Sequence, residues 1–229
     1  MQDIIQKNDF IEIEFSGYLL DGTMFDTNNE KIAKENNLDI KNSERIFCVG
    51  QGFLVKGFDD ALISKEIGKE YEIELAPNEA FGKRLPNLIK TMPIAAFHKH
   101  EINPAPGMSF FLDQYFVRIS AVSGGRVITD FNNPLAGKQI KYKFRIIRKI
   151  TDINEKIKAL MRLFYKHEFE FSIDDKKLII NAKDIPFIEQ TRQKWHEILG
   201  LEIDLKVKEE KLEKEEIESK DNPMPVLYV

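Results

Sequence analysis

The chemistry this sequence offers is a single carboxylate set among rings. Phe25-Asp26 follows an Asp21-Gly22 turn, while Phe15, Phe47, Leu54, Val55, Phe58, Phe81 and Tyr142 recur beside glycines or on strand-like runs. Such a set can enclose an apolar guest and hold one acid beside it. It can also be the core of a sheet, with Asp26 capping a turn, and periodicity alone favours the core reading. Other chemistries lack their residues. There is no Gly-x-Ser-x-Gly, no Gly-x-x-x-x-Gly-Lys-Ser/Thr and no zinc spacing. Gly50-Gln51-Gly52 lacks the third glycine of a dinucleotide fingerprint. His98 and His100 could share a strand face but have no further ligand nearby, so neither a metal nor a cofactor is expected. Cys48, the single cysteine, alternates with Phe47 and Val49 and reads as buried packing; it excludes an internal disulfide and suits a reducing compartment.

Hydrophobic periodicity supplies the elements that must position these residues. Ile11, Ile13 and Phe15 share one strand face against Glu12 and Glu14, and Tyr71, Ile73 and Leu75 share another against Glu72 and Glu74. Ile140, Tyr142, Phe144 and Ile146 do the same against Lys141, Lys143 and Arg145. Residues 58–64 predict a short helix stopped near Gly68. The strand at 139–147 can complete a sheet begun before Leu85, so the first domain is expected to be discontinuous, over 1–85 and 134–151.

Between those halves, Pro86, Pro93, Pro104 and Pro106 argue against a long helix. Strands are predicted at 108–112, 115–122 and 126–130, the last two joined through Gly124-Gly125, so 86–133 reads as a small inserted β domain. From Asp152 the spacing of Ile153, Ile157, Leu160, Met161 and Phe164 is helical. Strands at 168–173 and 177–182, a helix at 186–199 and a strand at 201–207 complete a predicted α-β-β-α-β domain over 152–229, with Phe187 and Trp195 in its core. The class is α+β.

The chain has 229 residues and a formal net charge of -4 with both signs interleaved, which suggests neither a nucleic-acid stripe nor a polybasic membrane anchor. No apolar run is long enough to span a bilayer, and the N-terminus lacks the basic and apolar segments of a secretory signal. A cytoplasmic protein with no nucleic-acid or membrane partner is expected.

Taken together and in order, residues 17–26, 49–58 and Ala80-Phe81-Gly82 resemble the prolyl isomerases of the FKBP family. The insert, with Met108, Phe110 and residues 117–122, resembles the flap domain of SlyD-like members, and the whole arrangement resembles the long FKBPs of archaea. The resemblance implies an FKBP-type antiparallel β-sheet wrapped on a short helix, and peptidyl-prolyl cis-trans isomerase activity. It implies a pocket with Phe58 as floor, the Val55 N–H as donor to the substrate carbonyl, and Asp26 biasing the local field. Phe25, Phe81 and Tyr142 complete the catalytic set, with Phe15, Phe47 and Leu54 as substrate contacts.

The same resemblance implies that the insert binds unfolded segments, with Met92, Phe97, Met108, Phe110, Tyr115 and Phe116 as candidate contacts; any one of them could equally form the insert's own small core. Partners would then be unfolded or nascent polypeptides with X-Pro bonds. Phe15 and Phe81 stand where the best-known members carry Tyr, so two hydroxyls are expected to be missing, and Arg45 replaces an apolar wall residue. The rival reading is a chaperone-only binding module with a catalytically weak pocket. For 152–229 the resemblance supplies a domain without a mechanism, a candidate for homodimer contacts or for docking a partner.

Overall fold

Alternation of apolar and charged side chains builds the main sheet. In the computed structural model, which describes residues 4–39, 44–112, 115–181 and 188–206, strands β1 (Phe10–Leu19), β2 (Met24–Thr27), β3 (Ile46–Cys48), β4 (Glu70–Leu75) and β9 (Ile140–Ile150) form one antiparallel sheet. Its order is β2-β1-β9-β4, with β3 also paired to β1. Register sorts the faces. Phe15 pairs with Phe144 and Phe144 with Tyr71, while Gly17 pairs with Tyr142 and Tyr142 with Ile73, giving an apolar inner face. Between these rows, Ser16, Lys143 and Glu72 line up on the other face, where Lys141 and Lys143 reach Glu72 at 2.7 and 3.3 Å. Such exposed pairs contribute about 0–1 kcal/mol each, so the inner face carries the stability.

Helix α2 (Lys56–Leu62) lies on that inner face and buries Phe58 and Leu62 in a core with Ile13, Phe15, Phe47, Tyr142 and Phe144. The sequence places its start two residues late, because Val55 supplies no side-chain cap to mark the N-terminus. Helix α1 (Glu30–Glu35) is too short for its periodicity to show; Asn29 Oδ1 caps it, accepting from the N–H groups of Lys31 and Ile32 at 3.1 and 3.3 Å.

A second sheet has the order β5-β8-β7-β6, from β5 (Ile89–Pro93), β6 (Ser109–Leu112), β7 (Tyr115–Ser123) and β8 (Arg126–Asp130). All its strands fall in sequence between β4 and β9. Strand β5 and the following helix α3 (Ile94–His98) are absent from the sequence reading, since Pro93 masks the strand end. His98 therefore sits in a helix and not on the strand face anticipated for it. Where the chain enters and leaves this sheet, Arg84 pairs with Asp130. Beside that pair, Asn132 Oδ1 accepts from the Leu85 N–H at 2.8 Å.

The chain divides into two units, Met1–His167 and Glu168–Val229. Helix α4 (Ile153–Tyr165) belongs to the first, whereas the spacing of its apolar residues had been read as the start of the C-terminal domain. The reason is its contacts: Leu163 packs on the main core, and Arg162 pairs with Glu44 at 2.5 Å. In the second unit, β10 (Glu170–Asp174) and β11 (Lys177–Asn181) form a hairpin. Helix α5 (Ile188–Leu199) then leads to β12 (Glu202–Lys206), which runs parallel to β11. Leu178, Ile180, Trp195 and Ile203 are buried there. Phe187 and the charged run 208–220 lie outside the described residues.

Candidate active site

Gly17 allows the rings of the main sheet to converge. It pairs with Asp26 on β2 and with Tyr142 on β9, so its missing side chain would point into the space between those strands' aromatics. A Cβ there would lie 2.7 Å from Phe25 Cζ and 2.8 Å from Tyr142 Cε1. With hydrogen instead, Phe25 packs edge-on to Tyr142 with ring centres 5.8 Å apart, and Phe81 edge-on to Phe25 at 5.9 Å. Phe58 stacks on Tyr142 at 4.4 Å with planes only 12° apart. Phe15 approaches Phe58 at 5.5 Å and Tyr142 at 5.9 Å, and Phe47 stands 6.3 Å from Phe15. Leu54 and Val55 pack against the same cluster.

The structure thus clusters Phe15, Phe25, Phe47, Leu54, Val55, Phe58, Phe81 and Tyr142, with Asp26 beside Tyr142, and it differs from the sequence reading on one point. Phe58 was expected as the floor that a guest touches, yet its exposure is 0 % and Tyr142 has only 1 %. The stacked pair is covered. Phe25, Asp26, Leu54, Val55 and Phe81 around it are half-buried.

Asp26 is held by its neighbours in sequence. Thr27 Oγ1 donates to the Phe15 carbonyl at 2.8 Å and lies 3.0 Å from Ser16 Oγ. Asn28 accepts from the Phe15 N–H at 2.9 Å and donates to the Ile13 carbonyl at 2.7 Å. These buried polar side chains bond to the β1 backbone where β2 leaves it. Burial raises the Asp26 pKa above 3.8, opposed by the Tyr142 hydroxyl and the Thr27 N–H. The Tyr142 hydroxyl approaches Asp26 Oδ2 at 3.5 Å. Burial, with the Asp26 charge and this contact, pushes the phenol pKa up, so Tyr142 stays protonated and donates. Phe15 offers no hydroxyl, and the one that approaches the carboxylate comes from Tyr142 on β9.

The loop before α2 is built around Asp59. This buried carboxylate accepts from the N–H groups of Gly50 and Gly52, both at 2.8 Å, and both glycines have positive φ. It pins the loop to the helix. The Val55 carbonyl accepts from the N–H groups of Phe58 and Asp59 at 2.9 Å, while its own N–H has no acceptor among the described residues. Asp59, Thr27 and Asn28 were missed in the sequence.

The insert divides the residues proposed for it. Phe97 and Phe110 are buried with Val117, Ile119 and Val127, because the β6 register places Phe110 opposite Val117 on the inner face. Of the two readings open for them, client contact or the insert's own core, these two take the core. Met92 is half-buried against the same core. Met108 and Tyr115 are exposed, as is Phe111, a residue outside the expected set, at 69 %. Phe111 sits on edge strand β6 and packs edge-on to half-buried Phe116 at 5.6 Å.

A cleft of about 420 Å³ on the first unit has Phe15, Ile32, Tyr71 and Phe144 in its lining beside Glu14, Glu70, Glu72, Lys143 and Arg145. It shares Phe15 with the ring cluster but contains none of Phe25, Asp26, Val55, Phe58, Phe81 or Tyr142. Among the described residues, no helix is long and apolar enough to cross a membrane.

The profile described as "FKBP-type peptidyl-prolyl cis-trans isomerase" matches residues 2–100, and one described as "FKBP26, IF domain" matches residues 90–135. The short-type peptidyl-prolyl cis-trans isomerase of Methanocaldococcus jannaschii is 32% identical over 151 residues, 64% of this chain and 94% of that protein. The FKBP-type peptidyl-prolyl cis-trans isomerase SlyD of Haemophilus influenzae is 26% identical over 62% of this chain and 71% of its own length. SlyD of Helicobacter pylori is 30% identical over 44% of this chain and 56% of its own length.

Proposed function

Because the chain belongs to the FKBP-type peptidyl-prolyl cis-trans isomerases, we propose that it rotates X-Pro bonds at the ring cluster around Tyr142 and captures unfolded clients on its insert. The observation that carries the reading is the convergence of Phe25, Asp26, Val55, Phe58, Phe81 and Tyr142 on one apolar site. Rotation about the peptide bond must overcome roughly 18–20 kcal/mol, and no proton or electron has to move. The site therefore needs shape and polarity, not a nucleophile. Phe25, Phe81 and Leu54 receive the prolyl ring over the stacked Phe58–Tyr142 pair. The Val55 N–H holds the carbonyl of the preceding residue. A planar amide is more polar than a twisted one, so apolar surroundings penalise the ground state; Asp26, oriented by Tyr142, biases the field beside it.

Two regions share the work under this reading. Residues 1–85 and 134–151 form the isomerase, and 86–133 the client-binding insert, whose support is the exposed Met108, Phe111 and Tyr115 at and beside edge strand β6. An edge strand offers unpaired backbone groups to an extended chain, and exposed rings and thioethers adapt to varied side chains. The test is exchange NMR on a short Ala-Pro or Phe-Pro peptide with the full chain. Cis and trans cross-peaks should exchange faster with protein, and a chelator should not change the rate. Exchange no faster than in buffer would remove the isomerase assignment and leave the chaperone-only reading.

A further inference from the structure

We propose that helix α4 is part of the isomerase site, with Phe164 as a positioning residue for the loop that carries Leu54 and Val55; this rests on the site assigned above. The helix lies beyond the residues matched by either family profile, 2–100 and 90–135. It is nonetheless fixed to the first unit along its length. At its start, Asp152 accepts from the Glu155 N–H at 2.8 Å, and Glu155 pairs with Arg148 of β9. Near its end, Arg162 Nε reaches Glu44 at 2.5 Å. The Glu44 carboxylate also accepts from the N–H groups of Arg45 and Ile46, both at 3.0 Å, so this pair ties α4 to the start of the strand that bears Phe47.

The next two residues touch the site's supports. Leu163 packs on the core that contains Phe58 and Tyr142, and the Phe164 ring meets Phe53 edge-on at 5.1 Å. Phe53 occupies the irregular stretch between Gly52, whose N–H is held by Asp59, and Val55, where α2 begins. Asp59 anchors one end of that stretch and α2 the other. Phe164 braces the middle. A hydrogen bond weakens steeply with misalignment, so a shift of Phe53 would be felt at the Val55 donor before it disturbed the buried rings.

The experiment compares the full chain with Phe164→Ala, Phe164→Tyr, Phe53→Ala and the Phe53→Ala/Phe164→Ala double variant. Proline-peptide exchange is measured as KM and kcat separately, at a temperature where each variant is folded by circular dichroism. Loss of the ring contact should raise KM about two- to tenfold, leave kcat within about twofold, and move the Val55 amide resonance. Phe164→Tyr should restore both readouts, and Phe164→Ala should add little once Phe53 is gone. A folded Phe164→Ala with unchanged KM and an unmoved Val55 resonance would overturn the proposal. Where Phe164→Ala does not fold, Phe164→Leu, which keeps apolar bulk and loses the ring edge, is read in the same way. An inactive parent protein would sink the isomerase assignment, whereas an active parent beside an equally active Phe164→Ala would sink only the role of α4.

Discussion

Two groups of aromatic residues in the first unit have opposite fates. Around the main sheet, Phe15, Phe25, Phe58, Phe81 and Tyr142 interlock through edge-on and stacked contacts between 4.4 and 5.9 Å. Around the second sheet, Phe97 of α3 and Phe110 of β6 fill a small core, while Phe111 and Tyr115 face outward. Residue type does not separate the groups. What separates them is the layer that each strand faces: β1 and β9 turn their rings toward α2, whereas the outer side of β6 lies at a sheet edge. A catalytic pocket needs rings that hold their geometry, and a surface for varied unfolded chains needs rings that can be approached from many directions.

Substitutions in one group should therefore have consequences that the other lacks. Phe58→Ala should be the most damaging, costing on the order of 3–5 kcal/mol of stability because the ring is fully buried, and removing peptide isomerisation as well. Melting and exchange measurements on the same sample would check both. Gly17→Ala comes next. Its Cβ would drive into Phe25 and Tyr142, so a stability loss of about 1–3 kcal/mol should accompany slower exchange, and an unaffected variant would show that the clearance is not needed.

Phe111→Ser combined with Tyr115→Ser should stay within about 0.5 kcal/mol of the parent for each exposed site. It should leave tetrapeptide exchange unchanged yet slow a proline-limited refolding reaction; equal losses on both substrates would erase the contrast between the two groups. Asp26→Asn should have the smallest effect on the fold, with a sign that can be checked. Burial raises the Asp26 pKa above 3.8, so the folded protein holds the proton more tightly than the unfolded chain. Ionised Asp26 then costs stability above its folded pKa, and the cost is relieved as pH falls toward and below 3.8. Asp26→Asn should melt slightly higher than the parent at pH 7, lose that advantage in acid, and exchange peptide more slowly. A lower melting point at pH 7 would mean that the charge is stabilised by its surroundings.

The strands of the main sheet were legible because Ile11 to Phe15 and Ile140 to Ile146 alternate without interruption, and the same alternation placed Phe15 and Tyr142 on one face. The ordered glycine and aromatic motifs singled out residues that the fold gathers into one cluster, Val55 among them. What stayed hidden depends on register or burial. The Tyr142 hydroxyl reaches Asp26 only because β9 lies beside β1, and no spacing in the sequence encodes that approach. Asp59 looks like any polar residue on a short helix until its carboxylate is seen turned back onto Gly50 and Gly52. Helix α4 was correctly read as a helix, but its membership of the first unit depends on Glu44 and Phe53, both distant in sequence. Phe110 and Phe111 are adjacent, and only the pairing of β6 decides which one faces the core.

The division of labour between the two regions is tested most directly by removing one of them. Residues 86–133 would be replaced by a short turn, which the structure favours because the flanks meet where the Gly137 N–H donates to the Gly82 carbonyl at 2.8 Å. Rates for the deletion and the full chain would be compared on a proline tetrapeptide and on a protein whose refolding is limited by proline isomerisation. The tetrapeptide needs only the pocket, and its rate should be retained. The refolding protein loses a tethered second contact that raises the local concentration of its prolines, and its rate should fall by about tenfold or more. Equal losses on both substrates, or no loss on either, would contradict the account.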